Sequence, residues 1–523
     1  MVNLKTISVH NVSHTNAEQP ADVFTFYYPW YGTPMFSGDW SHWDNTEQPI
    51  HNPNNITNGR RDIAAVHYPL IDVYDSNDEN VIRLHISMAK AALIDGFVAS
   101  WWGRGSFEDQ ALAHIRTVCE EQDFLFSIYY EDTSSASSAV SDFLYLLMNY
   151  ADSDSWYKIN DRPVFFIYGR ARDQLGYSGG WSIDGAPQFW RLLEANRDPP
   201  RAGIMIFHPF IDGPGYIRSN WIELEEGGSF WLKVGLANFQ NDCDPYSDVG
   251  VRVLIRGDNA TWIILKDQII NFNDGWFDWS FNISSLAGQN VQVCVESYAW
   301  GMNPWCSEWA CADYIRIEDS QGQILNPGSE FDSGWKTVTD SLTASGYNPF
   351  FIMDFGGYET RITDFANYIF SFMDGIHTYI PIGIDFSVLG EIYSNASTSA
   401  ISQNKLFVAT VVPGYDDTGV RTTGYIVERE DGDYYRSMWA TSKASNPGGF
   451  IITSFNEWHE GTEIEPSVEY LNQYLDITFQ ELGGIIPNIP EIILRMVSIL
   501  VLSVMVITLV LFIIFIRLRI SKD

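Results

Sequence analysis

Short apolar runs and amphipathic stretches alternate along the first part of the chain. Val23–Tyr28, Gly96–Trp101, Phe124–Tyr130 and Pro163–Tyr168 are apolar, rich in aromatic and β-branched residues, and of the length of a buried strand. Glu79–Ile94 and Ala136–Tyr150 lie between them with apolar residues at helical spacing. That alternation predicts βα units and a parallel sheet. From about residue 213 to residue 345 the rhythm changes to short alternating strands with turn signals and no convincing helix. Trp221–Glu225, Ser229–Leu236, Gly250–Ile255, Thr261–Leu265, Trp276–Asn282, Val291–Ser297 and Asp313–Ile317 are the strand candidates there, and they predict an antiparallel β-sandwich. The βα rhythm resumes at Phe350–Phe355, Gly375–Ile380, Leu406–Val412 and Gly449–Phe455. The two sides together supply eight strands. The expected fold is therefore α/β, a (β/α)8 TIM-type barrel with an inserted antiparallel β-sandwich, and Gly203–Phe210 fits either unit.

The C-terminus carries a different signal. Met496 to Ile516 is a run of 21 uncharged residues, long enough to span a bilayer as one helix. Arg517, Arg519 and Lys522 follow it and only Arg495 precedes it closely, so the positive-inside rule puts the tail in the cytoplasm and the bulk of the chain outside or in a lumen. The first ten residues contain no apolar core of a signal peptide; the expectation is an export signal that is lost or unrecognised, against a tail-anchored cytoplasmic protein. The expected organisation is an N-terminal extension over 1–20, a first barrel part over 21–212, the sandwich over 213–345, a second barrel part over 346–482, a stalk over 483–495, the membrane helix over 496–516 and a basic tail over 517–523.

Charge narrows the partners. With 66 acidic against 31 basic residues the formal net charge is −35, and no basic patch exists to replace phosphate counterions, which excludes nucleic acid. Aromatic residues make up 15% of the chain, a level that suits carbohydrate stacking as well as core packing. Four of the five cysteines, Cys243, Cys294, Cys306 and Cys311, fall in the predicted sandwich, where two disulfides are expected; Cys119 reads as a small buried hydrophobe. There is no paired Cys-x-x-Cys, no His-Glu-x-x-His and no Gly-rich phosphate loop after the first strand, so neither a metal nor a cofactor is expected.

The strongest chemical signal follows the last predicted strand: Ser454-Phe455-Asn456-Glu457-Trp458-His459-Glu460-Gly461-Thr462-Glu463-Ile464-Glu465. In a (β/α)8 barrel the C-terminal ends of the strands form the catalytic face. Glycosidic bonds are most often cleaved by a pair of carboxyl groups, and Glu457 and Glu460 stand three positions apart beside an indole, an imidazole and the amide of Asn456. A merely solvated acidic loop has no use for those three groups.

This stretch resembles the signature of glycoside hydrolase family 99, the endo-α-mannosidase and endo-α-mannanase family. Tyr27-Tyr28-Pro29-Trp30-Tyr31-Gly32-Thr33-Pro34 with Gly38–Asp44, His67–Asp78 leading to Ser100-Trp101, and Pro413–Arg421 resemble further motifs of that family in the same order. The resemblance implies a retaining, endo-acting hydrolase of α-mannosidic or related α-linked bonds, with no cofactor. It implies Glu460 as general acid/base and Glu457 as the partner that deprotonates the substrate's own 2-hydroxyl, giving a 1,2-anhydro sugar; direct nucleophilic attack by Glu457 stays open. Tyr415 matches a site tyrosine of the family that is placed to donate to a catalytic carboxylate. Tyr28, Trp30, Tyr31, Trp101, His377, Tyr379 and Asn456 are the expected substrate-binding residues, with Trp101 as the sugar-stacking platform. The third strand departs from the family, reading Ser127-Ile128-Tyr129-Tyr130-Glu131 where a histidine is usual, and Glu131 is placed to compensate. A non-catalytic cell-surface glycan binder, and a glycosidase or transglycosylase of another linkage on the same barrel, are the competing expectations.

Overall fold

The computed structural model describes residues 21–175, 181–184, 188–194, 201–207, 215–219, 221–238, 249–258, 261–271, 274–299, 310–325, 334–356, 366 and 369–484. Eight parallel strands close into a barrel: β1 (Asp22–Tyr27), β2 (Gly96–Trp101), β3 (Leu125–Tyr130), β4 (Arg162–Ile167), β5 (Phe350–Asp354), β6 (Gly375–His377), β7 (Leu406–Val411) and β8 (Gly449–Ile452). Closure is made where β1 pairs with β8, Val23 opposite Phe450, and the two halves of the chain meet where β4 pairs with β5, Phe351 opposite Phe165. Helices α1 (Glu79–Ala91), α2 (Phe107–Gln122), α3 (Ala136–Asn149), α4 (Gly169–Gln174), α5 (Gly334–Ala344), α6 (Phe386–Ser402), α7 (Asp433–Ala444) and α8 (Gln473–Glu481) accompany the strands. Several begin where the sequence offers an oxygen to a free backbone N–H: Asp78, Ser106, Ser135 and Asp385 cap α1, α2, α3 and α6.

Alternation along each strand sorts side chains into two cores. Phe24 and Phe26 of β1, Val98 of β2, Tyr129 of β3 and Phe166 of β4 point into the barrel. Tyr27, Phe97, Ala99, Trp101 and Tyr130 point outward, under the helices. The interior is tightly filled: at Gly96 a Cβ would fall 2.3 Å from the Phe24 ring, so only glycine fits. The same parity corrects an expectation. Trp101 is wholly buried on the outer face, its Nε1 donating to Asp109 Oδ1 at 3.0 Å and its ring stacked on Tyr130, so it is not a sugar platform. The indole with the inward parity is its neighbour Trp102.

Between β4 and β5 the chain makes a detour into two antiparallel sheets of five and six strands. Its limits differ from those expected. Trp181–Asp184 and Gln188–Glu194, assigned from sequence to the barrel, belong to these sheets: the first pairs with Gly215–Ser219 and the second with Arg201–Phe207, which fitted either unit by sequence and pairs in turn with Ala310–Asp319. At the other end Gly334–Ala344, assigned to the insertion, is helix α5: Trp335 is wholly buried beside Tyr130, Phe143 and Phe351 of the barrel. The chain leaves at Leu175 and returns at Gly334, whose N–H donates to the Leu175 carbonyl at 2.6 Å.

Cys294 is a free buried thiol, so the expected pair of disulfides among the four insertion cysteines does not form as a set; burial pushes its pKa up to about 12. Cys243 and Cys306 lie outside the described residues. Cys119 is free and buried, as its helical position predicts. No helix among the described residues is long and apolar enough to cross a membrane; the run 496–516 lies outside them, as do 1–20 and most of the stalk.

Because Leu175 and Gly334 touch, replacing 176–333 by a short Gly/Ser linker should leave a barrel that unfolds cooperatively on heating. Deleting 213–345 instead takes α5 and Trp335 with it, a loss of about 3–5 kcal/mol for the buried indole alone, and should give no cooperative transition. A cooperative transition for the second deletion and none for the first would reverse these boundaries.

Candidate active site

The loop after β8 folds back on itself. Ser454 N–H donates to the Thr462 carbonyl at 2.9 Å, Ile464 N–H to the Ser454 carbonyl at 3.0 Å and Glu465 N–H to the Phe455 carbonyl at 2.8 Å, so residues 457–461 form the tip of a narrow turn above the barrel. Ser454 Oγ accepts from Glu457 N–H at 2.8 Å and fixes the start of that turn. Gly461 closes it with φ +56° where a Cβ would stand 2.8 Å from the Asp416 carbonyl oxygen, and Asp416 N–H donates to the Glu460 carbonyl at 2.8 Å.

Glu457 is 1% exposed. Its Oε1 accepts from His459 N–H at 3.1 Å, and its buried Oε2 has no partner among the described residues. Burial, then the Glu460 and Glu131 charges, raise its pKa well above the ordinary carboxyl value. Glu460 is less extreme. Burial raises its pKa too, while a hydrogen bond from Tyr379 and the Arg421 guanidinium draw it back. Two like charges cannot both be held cheaply in such a place, so the pair retains a proton near neutral pH. Within the pair that proton favours Glu457, since Glu460 has the partners of a carboxylate.

A third carboxyl faces the same mouth from the end of β3. Glu131 is 3% exposed, its Oε1 accepting from Ser100 Oγ at 2.8 Å, and burial pushes its pKa up to about 8. Trp102 joins it: the indole donates to Ser100 Oγ at 3.0 Å and lies under the Arg170 guanidinium at 4.5 Å.

Tyr28 and Tyr379 form a relay, Tyr28 OH donating to Tyr379 OH at 2.7 Å and Tyr379 OH to Glu460 Oε2 at 2.9 Å. Burial raises both phenol pKa values well above normal, so they are donors throughout the physiological range. Trp30 stacks flat on His42, ring centroids 4.5 Å apart, and His459 continues the aromatic wall at 5.4 Å from His42. His459 Nε2 donates to the His42 carbonyl at 2.5 Å, and burial lowers the imidazole pKa of His42 to about 3 and of His459 to about 4. Both rings are neutral.

The other expected residues stand behind this surface. Asn456 is wholly buried and clamps β1 to the loop: its Oδ1 accepts from Tyr28 N–H at 2.7 Å and its Nδ2 donates to the Tyr28 carbonyl at 3.1 Å. Tyr31 supports the turn, its OH accepting from Trp458 N–H at 3.0 Å. Tyr415 donates to Asp417 Oδ2 at 2.9 Å and accepts from Arg421 at 2.8 Å; the tyrosine that donates to a catalytic-pair carboxyl is Tyr379. His377 has the inward parity but is one layer too deep, wholly buried among Phe26, Tyr129 and Phe166, where burial lowers its pKa and keeps it neutral. Trp102 was legible from strand alternation counted from Val98. Tyr74, which joins Asn456, Trp458 and Glu465, lies inside the His67–Asp78 motif, but its role was not legible because its partners lie far along the chain.

A sequence model of the glycosyl hydrolase family 99 matches residues 20–174 and 336–482, the two barrel segments on either side of the insertion. A glycoprotein endo-alpha-1,2-mannosidase of Rattus norvegicus is 26% identical over 485 residues, covering 88% of this chain and 72% of its own. A glycoprotein endo-alpha-1,2-mannosidase-like protein of Mus musculus is 20% identical over 472 residues, 86% of this chain and 70% of its own. The solved GH99 endo-alpha-mannosidase from Bacteroides thetaiotaomicron shares the fold, with a TM-score of 0.50 at 20% identity over 88% of this chain and 96% of that one.

Tyr379→Phe removes the donor that stabilises ionised Glu460, so Glu460 should hold its proton more tightly. Its titration midpoint, followed by carboxyl 13C NMR, should rise. An unmoved midpoint would separate Tyr379 from the pair.

Proposed function

This chain belongs to glycosyl hydrolase family 99 and is a glycoside hydrolase, and on that footing we propose that it cleaves α-mannosidic bonds within glycans, with retention, through Glu457 and Glu460. The observation that carries the reading is the buried, mutually perturbed carboxyl pair at the C-terminal end of β8, one member tied to Tyr379 and the other with an oxygen left free. The curated relatives named above as endo-alpha-1,2-mannosidases support the linkage.

In this scheme Glu460 protonates the departing glycosidic oxygen and later activates water. Tyr379 occupies Oε2, leaving Oε1 for the substrate. Glu457 takes the proton of the sugar's 2-hydroxyl through its free Oε2. A 2-hydroxyl donating to Glu457 favours the ionised form of that carboxyl, and the shared proton then passes to Glu460, where it is needed. Covalent attack by Glu457 uses the same oxygen, and trapping of a glycosyl-enzyme with a slow fluorosugar distinguishes the two routes. Glu131, protonated over most of the neutral range, donates a hydrogen bond to a sugar hydroxyl, while Trp30 and Trp102 present apolar faces. The six-stranded sheet of the insertion adds a surface on which Trp221, 47% exposed, binds further glycan, and the run 496–516 holds the enzyme to a membrane as a single helix with the basic tail on the cytoplasmic side.

Glu457→Gln and Glu460→Gln should each lower kcat at least about 10³-fold while glycan binding by calorimetry stays within a few-fold, and the double variant should be no worse, because the two act as one unit. Wild-type turnover in either would remove it from the mechanism. A panel of α-linked manno- and gluco-oligosaccharides should give retained products from internal α-mannosides only; cleavage of glucosides alone would move the specificity to another sugar.

A further inference from the structure

The stretch 457–465 of the loop after β8 carries four glutamates, and two of them do not face the mouth. Glu463 and Glu465 are 1% and 3% exposed on its returning limb. Glu463 Oε1 lies 2.8 Å from Arg429 Nη2 and 2.9 Å from His67 Nδ1. Arg429 is itself 5% exposed and sandwiched between the rings of Tyr470 and Tyr474, at 4.9 and 4.4 Å. The same Nη2 reaches the Gly461 carbonyl at 2.9 Å. Glu465 Oε2 accepts from Tyr74 OH at 2.8 Å, and its Oε1 lies 3.2 Å from His85 Nε2, whose other ring nitrogen meets Tyr27 OH at 3.0 Å. Tyr74 OH in turn accepts from Asn456 Nδ2 at 3.2 Å and from Trp458 Nε1 at 3.1 Å.

These contacts sort into two lines. One runs from Glu465 through Tyr74 to Asn456 and Trp458, the residues on either side of Glu457. The other runs from Glu463 through Arg429 to the carbonyl of Gly461, the residue after Glu460. From this arrangement we infer that Glu465 with Tyr74 is the positioning device for Glu457, and Glu463 with Arg429 the positioning device for Glu460, each line setting one member of the reacting pair. The inference rests on the mechanism given above. Buried charges have less costly uses than packing, since an apolar pair of similar volume would hold a loop as firmly. What a carboxylate adds is direction: it fixes the acceptor of each hydrogen bond, so the loop has one geometry rather than several of similar energy. Arg429 and His67 outweigh burial and hold Glu463 below the ordinary carboxyl range, which keeps it charged and its bonds in place while Glu457 and Glu460 exchange protons a few residues away.

The test uses the full chain and reads kcat, KM and thermal unfolding together. Tyr74→Phe removes a single oxygen and leaves the ring packed, and Arg429→Lys keeps the charge but cannot serve both Glu463 and the Gly461 carbonyl. Each should lower kcat about 10- to 100-fold, since displacement of about 1 Å costs that much, with KM within threefold and the folded fraction unchanged. Tyr74→Phe introduced into Glu457→Gln should add no further loss, whereas introduced into wild type it should. Normal kcat per folded molecule in both single variants, with only a lowered unfolding midpoint, overturns the inference and leaves the two lines as structural supports. Activity surviving in Glu457→Gln and Glu460→Gln would instead overturn the mechanism, a result the Tyr74 and Arg429 variants cannot produce. Should Arg429→Lys fail to fold, Glu463→Gln, which keeps an acceptor oxygen for Arg429, decides the second line by the same readouts.

Discussion

Burying carboxyl groups at the mouth of a barrel is the constraint on which this site depends. An isolated carboxylate taken out of water costs many kcal/mol, so each buried acid must find a cation, hydrogen-bond donors or a proton. The loop after β8 uses all three solutions within nine residues. Glu463 is met by Arg429 and His67, Glu465 by Tyr74, and Glu457 and Glu460 have raised pKa values that favour a shared proton, with Tyr379 as donor to the second. Glu131 across the mouth, with a hydroxyl but no close cation, keeps its proton instead. Of five acids in similar surroundings, two are thus held by fixed partners and three have pKa values raised by burial.

The barrel beneath supplies the dry floor that makes this division possible. Phe26, Tyr129, Phe166 and His377 form an aromatic layer under Tyr28 and Tyr379, and the imidazole in that layer stays neutral because burial outweighs the Asp354 charge and the nearby backbone groups. Low polarity below raises the carboxyl pKa values above, and the same low polarity lengthens the reach of Arg421 and Arg170 toward Glu460 and Glu131. The proton inventory of the site is therefore a property of the whole upper barrel rather than of the motif alone.

The insertion leaves the order of the barrel strands intact because the chain departs and returns at adjacent residues. Leu175 and Gly334 are hydrogen-bonded neighbours, and β4 and β5 pair directly across the gap as consecutive strands of any such barrel do. The detour costs the entropy of closing a long loop, which grows only slowly with length.

The sequence by itself determined the eight-strand alternation, the apolar interior and the carboxyl pair, because each is a local pattern: period two along a strand, or two acids three residues apart beside aromatic groups. The family likeness read from the same motifs holds. Strand alternation also contained the outward direction of Trp101 and the inward one of Trp102, although Trp101 was the residue expected to line the mouth. The limits of the insertion were not local. Arg201–Phe207 reads equally well as a barrel strand until its antiparallel partner in Ala310–Asp319 is known, and Gly334–Ala344 lies against the barrel only because Trp335 fills a space made by Tyr130, Phe143 and Phe351. Nor could spacing show what holds each of the four glutamates from Glu457 to Glu465 in place. The partners that hold three of them, Tyr74, Tyr379 and Arg429, stand between 34 and 391 positions away in the chain from the acids they meet, and are brought to them only by closure of the barrel.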